Sequence, residues 1–296
     1  EEYERFKKYK VFQPVKKNTI PNNAKVLSST WAMKKKSNGT YHARMNMRGF
    51  EQIDGEHYDS SSISSPVTND VTIRVILVLM IMANWASHIV DVKGVFLHGE
   101  FDNNEILHCS VPQGFEKHYD NNKYFLKLRK TVYGLKQAAM MFWRELVKAM
   151  KCMNFRRSYA DPCLYWKWST SGLIVWLSWI DDCLCVGPSN QVKKSTNEMK
   201  AMFDCDDVGV MQEYVGCKIQ RSENAIKFTQ PVLLQSFKDE FPLPTSTYTT
   251  PAEPRKILTK VQKGHKVNAT EQTRYRAGVG KLLHMMRWSR PDLSLI

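Results

Sequence analysis

The sequence predicts a mixed α+β fold in which helices pack against antiparallel strands. Hydrophobic residues make up 43% and aromatic residues 11% of the 296 residues, which is typical of a folded protein. Strand-like and helix-like segments follow one another without the regular βαβαβ alternation of a doubly wound sheet. Two segments also carry the signals of β-hairpins. Together these observations favour antiparallel sheets over a parallel-sheet fold.

The N-terminal part is predicted to form a hairpin followed by a helix. Residues 24–50 should contain two strands around the Asn38-Gly39 turn, because this dipeptide suits a tight hairpin. A helix should begin at Asn69 or Asp70, either of which can cap it. Its apolar residues at helical spacing are predicted to face the core: Val71, Val75, Val78, Leu79 and Met82.

The central part is predicted to contain the main sheet. Residues 87–97 and 124–128 are strand candidates, and residues 135–150 have the spacing of an amphipathic helix. Residues 173–180 form an apolar strand that ends in Asp181-Asp182, after which the apolar pattern resumes at once. This pattern is typical of a hairpin with two aspartates at its tip.

The C-terminal part is predicted to be less regular. Residues 192–203 should form another helix, and residues 214–219 and 225–228 should form short strands. Residues 243–270 are rich in Pro, Thr and Lys, which is typical of a linker or an exposed loop.

Basic residues are concentrated at the two ends of the chain. There are 43 lysines and arginines against 29 acids, which gives a net charge of +14. Residues 1–48 carry a net charge of +9 and residues 251–290 a net charge of +8. This balance favours a polyanionic partner, and two basic segments around a near-neutral centre suit a groove that holds a phosphate backbone.

Several classes of protein are disfavoured because their patterns are missing. The longest apolar run, residues 75–83, is far shorter than the ~20 residues that cross a bilayer, and no secretory signal is visible. The seven cysteines include no C-x-x-C pair, which favours reduced intracellular thiols over a zinc site. No P-loop, G-x-G-x-x-G or G-x-S-x-G motif is present, so a nucleotide site is expected to use side chains and metals.

Three aspartates interrupt apolar strand segments. Asp181 and Asp182 end the strand at 173–180, and Asp91 lies between Val90 and Val92. Acids gathered at a sheet edge repel each other and lose hydration, and a bound cation removes that penalty. If the two strands are neighbours, the acids form the oxygen-ligand site that Mg²⁺ prefers, and a metal pair there suits phosphoryl or nucleotidyl transfer. The alternative is a polar Asp-Asp turn that is simply exposed to water.

Eight short blocks along the chain match the pattern of one known family, in that family's order. His42-Ala-Arg44-Met-Asn-Met-Arg48-Gly-Phe50 is similar to its K-A-R-L-V-A-K-G-F segment, and residues 90–99 are similar to V-D-V-K-T-A-F-L-N-G. The other blocks are Pro112-Gln-Gly-Phe115, residues 132–138 and 160–164, Trp179-Ile180-Asp181-Asp182, Glu213-Tyr214-Val-Gly216 and residues 275–292. Over nearly its whole length the chain thus resembles the reverse transcriptase of copia-type LTR retrotransposons.

The resemblance implies an α+β right-hand polymerase, with palm, fingers and thumb and an antiparallel-sheet palm packed on helices. The implied boundaries place the fingers at residues 1–70 and 109–132 and the palm at residues 71–108 and 133–222. The thumb and the start of the connection would occupy residues 223–296. The parent polyprotein is expected to carry ribonuclease H and integrase regions, and the implied location is intracellular, in a cytoplasmic particle or the nucleus, without a membrane.

The activity that the resemblance implies is RNA-directed DNA polymerase. A nucleotidyl group would pass from a dNTP to the 3′-hydroxyl of a DNA primer on an RNA or DNA template, with two Mg²⁺ ions or, as an alternative, Mn²⁺. Asp91 and Asp181 would bind the metals with the backbone carbonyl of Val92, and Asp182 would be the third catalytic acid.

Nucleotide and primer contacts also follow from the resemblance. The implied nucleotide-binding residues are Lys36, Arg44, Phe96 and Gln137, with Lys34 or Lys35 as alternatives to Lys36. Phe96 resembles the aromatic residue that excludes a ribose 2′-hydroxyl, and its alternative is an ordinary core residue. The implied primer grip consists of Trp179, Tyr214 and Gly216.

The chain also departs from the family pattern. Trp179 stands where Tyr or Phe is usual, Ala139 replaces a proline, and Gly94-Val95 replaces Thr-Ala. None of these departures removes an implied metal ligand. Two other hypotheses therefore stay open: a decayed, inactive remnant that still binds nucleic acid, and a two-metal nuclease that uses the same acids for hydrolysis.

Overall fold

The computed structural model describes residues 1–35, 39–101, 105–241 and 268–295. The chain divides into two compact units, residues 1–210 and residues 211–296. Lys36 and Asn38 of the predicted hairpin turn lie outside the described residues. No helix in the described ranges combines the length and apolar character that crossing a membrane requires.

The first unit contains four helices and twelve strands among its described residues. In chain order they are α1 (Glu2–Lys8), β1 (Phe12–Lys16), β2 (Val26–Leu27), β3 (Ser29–Lys35), β4 (Tyr41–Met47), α2 (Asp70–Met82), β5 (Ala86–Val92), β6 (His108–Cys109), β7 (Tyr124–Leu128), α3 (Ala138–Cys152), β8 (Arg156–Arg157), β9 (Leu164–Ser169), β10 (Gly172–Trp179), β11 (Asp182–Gly187), α4 (Ser189–Met202) and β12 (Cys205–Gly209).

An antiparallel six-stranded sheet forms the centre of the first unit. Its strand order is β12-β5-β11-β10-β9-β8, so β5 lies beside the β10–β11 hairpin although it comes from a distant part of the sequence. Apolar residues of β5, β10 and β11 pack with residues of α3 and α4 in one buried cluster. Within that cluster, the Trp176 indole N–H donates to the Ser195 hydroxyl at 2.9 Å, so the buried tryptophan has a partner.

Two further sheets lie in the same unit. The hairpin β3–β4 is the one predicted around Asn38-Gly39, and it pairs Ala32 with Arg44 and Lys35 with Tyr41. A four-stranded sheet has the order β1-β7-β6-β2. Residues of this sheet, of α1 and of β4 form a second buried cluster, in which Phe6, Met45 and Leu126 are among the most buried side chains.

The prediction that Val71, Val75, Val78, Leu79 and Met82 face the core is wrong. Helix α2 begins where predicted, with the Asn69 side chain accepting a hydrogen bond from the Val71 N–H at 2.8 Å. However, those five residues are exposed, and the buried residues are Ile73, Ile76, Leu77 and Met80. Nearly every residue of α2 is apolar, so its pattern predicts a helix but does not select the face that is buried.

The second unit contains a small antiparallel sheet and two helices among its described residues. The strands are β13 (Glu213–Tyr214), β14 (Cys217–Arg221) and β15 (Ile226–Thr229), and the helices are α5 (Pro231–Glu240) and α6 (Ala269–Trp288). A capping box begins α6, in which Asn268 and Glu271 exchange side-chain to backbone hydrogen bonds. Most of the predicted linker, residues 243–267, lies outside the described residues.

Candidate active site

The three predicted carboxylates lie close together where strands β5, β10 and β11 of the six-stranded sheet begin or end, a place called the carboxylate edge. Asp91 near the end of β5 pairs in register with Asp182 at the start of β11. Asp182 in turn pairs with Trp179, so Ile180 and Asp181 form the two-residue turn of the β10–β11 hairpin. The Val92 N–H donates to the Asp181 carbonyl oxygen at 3.1 Å, which joins the turn to β5. The prediction that these strands are neighbours is therefore confirmed.

The charges of these acids oppose one another. Burial raises the pKa of Asp182 to about 6, with a further rise from the charges of Asp181 and Asp91. Burial also raises the pKa of Asp91, and the charges of Asp181 and Asp206 act in the same direction. Lys93 and Arg44 reduce this effect on Asp91. The edge therefore concentrates negative charge that a bound cation would neutralise.

A fourth acid, Asp206, was not predicted from the sequence. It lies on β12, on the other side of β5, and pairs in register with Asp91. The Asp206 carboxylate forms an ion pair with Lys93 Nζ at 2.6 Å, so the negative charge of Asp206 is partly balanced. The acidic run Asp204-Cys205-Asp206-Asp207 was the available signal, but without strand order it does not indicate which acid faces Asp91.

The few carboxylates at this edge suit Mg²⁺, which keeps several non-protein ligands, better than a metal whose ligands all come from the protein. Within the described ranges, no group of three or more His, Cys, Asp or Glu side chains is arranged to hold a metal ion. Mg²⁺ is usually bound by one or two carboxylates, with waters and substrate phosphates completing its coordination. Metal binding by Asp91, Asp181 and the Val92 carbonyl stays a prediction.

The hairpin turn holds Ile180 in a strained backbone conformation. Its φ is +57°, which β-branched residues rarely adopt because Cβ crowds the following carbonyl. Its side chain is 46% exposed and lines an apolar cavity of about 210 Å³ together with Val67, Phe142 and Trp143. The pairing of β10 with β11 therefore imposes a strained conformation on the turn that carries Asp181.

Replacing Ile180 with asparagine is expected to stabilise the protein by about 1 kcal/mol. Strained residues of this kind cost ~1–3 kcal/mol, and asparagine tolerates the left-handed region, although some apolar contact in the cavity is lost. The free energy of unfolding in urea measures the effect. The matched control is Ile180→Val, which keeps the branched Cβ and should give no gain. Equal stability of the two variants would contradict the expected strain.

Arg44, Tyr133 and Phe96 form a stack beside the carboxylates. The Arg44 guanidinium lies 5.2 Å from the centre of the Tyr133 ring, and the Phe96 ring meets Tyr133 edge-on at 5.2 Å. Arg44 is exposed, Phe96 is half-buried, and Tyr133 is buried. The charge of Arg44 acts on Asp91 and that of Asp181 acts on Tyr133, so the stack and the acids share one neighbourhood. Tyr133 was not predicted as a site residue from the sequence.

Gln137 lies inside a buried hydrogen-bond network rather than on an open surface. Its side chain is 1% exposed, and its amide N–H groups donate to the His57 carbonyl at 2.9 Å and to Glu105 at 3.1 Å. Its amide oxygen accepts from Gln52 at 2.9 Å. Direct contact between Gln137 and a nucleotide would therefore require this network to open, and its nucleotide-binding role stays a prediction.

The three implied primer-grip residues belong to both units. Trp179 is half-buried at the end of β10, directly opposite Asp182. Tyr214 and Gly216 lie in the second unit, at the turn between β13 and β14, where Gly216 has a φ of +75°. The Tyr214 ring is buried. The primer-grip role of all three residues stays a prediction, as does the role of Lys36 outside the described residues.

A family profile covers most of the chain. The family described as "Reverse transcriptase (RNA-dependent DNA polymerase)" matches residues 9–277. This range includes all three strands of the carboxylate edge and the Arg44 stack. The chain therefore belongs to the reverse transcriptase family, which confirms the resemblance and the enzyme class predicted from the eight blocks.

Retrotransposon proteins are similar to this chain over most of its length. It is 30% identical over 293 residues to the retrovirus-related Pol polyprotein from transposon TNT 1-94 of Nicotiana tabacum, covering 93% of this chain and 21% of that protein. It is 27% identical over 281 residues to the corresponding polyprotein from transposon RE1 of Arabidopsis thaliana, covering 93% and 19%. The chain thus spans about a fifth of the length of these relatives.

Two solved structures are similar to the chain. A foamy viral protease–reverse transcriptase in complex with double-stranded DNA has a TM-score of 0.43 at 10% identity, covering 95% of this chain and 38% of that one. A telomerase from Candida albicans in complex with a fragment of telomeric RNA has a TM-score of 0.45 at 12% identity, covering 81% and 53%.

The predicted fold class is confirmed. Family membership places the chain among right-hand polymerases, and the described residues show an antiparallel sheet packed on helices α3 and α4. The boundaries of fingers, palm and thumb stay a prediction.

Proposed function

We propose that this chain is an RNA-directed DNA polymerase that extends a DNA primer with deoxynucleotides. The observation that carries the proposal is the pairing of Asp91 with Asp182, which brings the Asp181 turn against β5. Acids from two separate strands at one sheet edge match the site that nucleotidyl transfer requires. The copia-type blocks and the family profile support a template of RNA or DNA.

Each acid would have a distinct task in the transfer. Asp91, Asp181 and the Val92 carbonyl would hold two magnesium ions, which would lower the pKa of the primer hydroxyl and neutralise charge on the leaving pyrophosphate. Asp182 would keep the edge negative, and its paired position against Asp91 would hold the two carboxylates in register. Lys93, paired with Asp206, would limit the total negative charge.

The aromatic stack would hold the incoming nucleotide. The Arg44 guanidinium is planar and forked, a geometry that pairs with phosphate oxygens, and Tyr133 restricts its position from one side. Phe96 would lie against the sugar and exclude a ribose 2′-hydroxyl. These residues favour a polymerase over a nuclease, because hydrolysis needs no nucleoside triphosphate.

Primer extension tests the proposed function. The assay uses a labelled DNA primer on an RNA template, with Mg²⁺ and four deoxynucleotides, and a parallel reaction contains EDTA. Extension that requires both metal and deoxynucleotides supports the proposal. Salt-sensitive binding without extension would indicate the inactive remnant, and metal-dependent shortening of the strands without deoxynucleotides would indicate the nuclease.

Replacing Arg44 with alanine is expected to raise the KM for deoxynucleotides by about 10- to 100-fold. Hydrogen bonds to charged groups are worth ~1.5–3 kcal/mol, and a contact made equally in ground and transition states changes KM rather than kcat. Steady-state extension over a range of dNTP concentrations separates the two constants. The control is Arg48→Ala, which removes an exposed arginine just beyond the same strand. An equal rise in KM for both variants would contradict a specific role of Arg44.

A further inference from the structure

Residues 93–98 form a sharp turn directly after strand β5. Gly94 has a φ of +61°, a conformation that glycine adopts without steric cost, and its carbonyl oxygen accepts from the Leu97 N–H at 2.7 Å. Phe96, whose ring is proposed to face the sugar of the nucleotide, lies in this turn. Contacts that fix the backbone of the turn therefore also fix the position of the Phe96 ring.

Two side chains donate to one carbonyl oxygen of this turn. The Lys93 carbonyl accepts from His98 Nε2 at 3.0 Å and from the Tyr9 hydroxyl at 3.4 Å. A carbonyl oxygen has two lone pairs and can accept both bonds. His98 belongs to the turn itself, whereas Tyr9 directly follows helix α1 and is 84 residues away from Lys93 in the sequence. The N-terminal segment therefore restrains the turn from outside.

The protonation and surroundings of Tyr9 suit this contact. Burial, followed by the charge of Asp204, raises the pKa of Tyr9 to about 12, so the hydroxyl keeps its proton and can donate at neutral pH. Asp204 also forms an ion pair with Lys8, and its carbonyl oxygen accepts from the Lys93 N–H at 2.8 Å. The end of α1, the turn and the residue before β12 are thus joined at one place.

The Tyr9 ring lies against the glycine of the turn. A Cβ at Gly94 would lie 3.3 Å from Tyr9 Cε2, and the family pattern has a threonine where this chain has Gly94. The Tyr9 ring also meets the His98 imidazole edge-on at 4.8 Å, and His98 meets Phe203 edge-on at 5.1 Å. An aromatic ring from another segment therefore supports the turn at the residue that has no side chain of its own.

We propose that Tyr9 is a positioning residue that holds the 93–98 turn and thereby sets how closely Phe96 approaches the sugar of an incoming nucleotide. Its ring packs on Gly94 and His98, and its hydroxyl donates to the same carbonyl as His98. Tyr9 acts through Phe96 and does not itself touch the nucleotide. The predicted effect is on the choice between deoxyribose and ribose, and this part of the inference rests on the proposed polymerase function.

The selectivity for the sugar tests the proposal in the full chain. The measured quantity is the ratio of kcat/KM for dATP to kcat/KM for ATP in primer extension. Tyr9→Ala is expected to lower this ratio by about 10-fold, because a small displacement of a positioned group has a large effect on discrimination. Tyr9→Phe keeps the ring and loses only a long hydrogen bond, so its ratio should stay within about three-fold of the wild-type value.

Tyr3→Ala is the matched control. Tyr3 is half-buried like Tyr9 and lies on α1, but its ring stacks on His118 at 3.7 Å and meets Phe115 edge-on at 5.1 Å. This variant should keep the wild-type ratio. Melting temperatures of both alanine variants show whether they lose similar stability, so that a general loss of structure is separated from a displaced turn.

A double-mutant cycle shows whether Tyr9 acts through Phe96. Phe96→Ala should itself lower the ratio, and in that background Tyr9→Ala should change the ratio by less than about two-fold, since the residue through which it acts is gone. Damage to the carboxylate edge would instead lower kcat for both nucleotides and leave the ratio unchanged.

Hydrogen exchange provides a measurement that does not depend on activity. The Leu97 N–H donates to Gly94 and the His98 N–H donates to the Val95 carbonyl at 3.3 Å, so both amides report on the turn. In Tyr9→Ala their exchange is expected to be about 10-fold faster than in the wild-type chain, and in Tyr3→Ala it should be unchanged.

Three outcomes would overturn the proposal. They are an equal ratio in Tyr9→Ala and Tyr3→Ala, an undiminished effect of Tyr9→Ala in the Phe96→Ala background, and unchanged exchange of the turn in Tyr9→Ala. If the wild-type chain does not extend a primer, the polymerase proposal fails, and hydrogen exchange alone decides whether Tyr9 holds the turn.

Discussion

Replacing Asp181 with asparagine is expected to abolish primer extension, with a loss of at least about 10³-fold in rate. The carboxylate of Asp181 supplies one of the few protein oxygens at the edge, and a neutral amide binds Mg²⁺ far more weakly. Bound metal stabilises charge in the transition state by several kcal/mol, and each ~1.4 kcal/mol corresponds to a factor of ten in rate. The measurement is primer extension under single-turnover conditions.

The same substitution should not destabilise the fold. Asp181 raises the pKa values of both Asp91 and Asp182 through its charge, so its removal lowers repulsion at the edge in the absence of metal. The melting temperature of Asp181→Asn is therefore expected to equal or exceed that of the wild-type chain. A marked decrease would show that the loss of activity arises from unfolding rather than from a lost metal ligand.

Asp207→Asn provides a matched control for this experiment. Asp207 lies on β12 of the same sheet and contacts His88 at 2.5 Å and Lys200 at 2.6 Å. Both contacts are partly exposed, and exposed ion pairs such as that between Asp207 and Lys200 contribute little to stability. Extension close to the wild-type rate is expected. If Asp207→Asn were as inactive as Asp181→Asn, the activity would depend on the overall charge of the sheet and not on the predicted edge.

The carboxylate hairpin could be predicted because its signal is local. Two acids directly after an apolar strand, followed at once by another apolar run, indicate a turn whatever surrounds it. Predicting that Asp91 lies beside this hairpin also requires the order of the strands. The eight blocks supplied that order through the family resemblance. By contrast, no local pattern places Asp206 opposite Asp91, because β12 joins β5 through a register that only the folded sheet defines.

Two other features were beyond sequence reasoning for related reasons. Helix α2 is apolar on nearly all sides, so periodicity could not select its buried face. Gln137 is a polar residue at a position that the family resemblance associates with nucleotide binding, yet its amide is satisfied by Gln52, His57 and Glu105 from other segments. In both cases the deciding contacts come from distant parts of the chain.

Replacing Gly134 with alanine is expected to destabilise the protein by about 2–5 kcal/mol. A Cβ at this position would lie 2.1 Å from the Met47 carbonyl oxygen, which is backbone and cannot rotate away. Gly134 also has a φ of +89°, and the chain on either side is fixed because the Met47 N–H donates to the Tyr133 carbonyl at 2.8 Å. Overpacking alone costs ~1–3 kcal/mol and a positive φ adds ~1–2 kcal/mol.

Gly114→Ala separates these two contributions. Gly114 has a φ of +91°, close to that of Gly134, but a Cβ there would meet no atom within 4 Å. Its substitution should therefore cost only the ~1–2 kcal/mol of the backbone conformation. Urea unfolding of both variants gives the difference, and equal costs would show that the close approach to Met47 is relieved without penalty.

The close approach at Gly134 also bears on the site. It lets the end of β4 lie directly against the segment that carries Tyr133, and this contact brings Arg44 of β4 over the Tyr133 ring. A Gly134→Ala protein that still folds should therefore show a raised KM for deoxynucleotides, as Arg44→Ala does. Gly114→Ala should keep the wild-type KM, because a Cβ at position 114 would meet no atom within 4 Å and so displaces nothing around Arg44. A normal KM in folded Gly134→Ala would mean that Arg44 does not depend on this contact for its position.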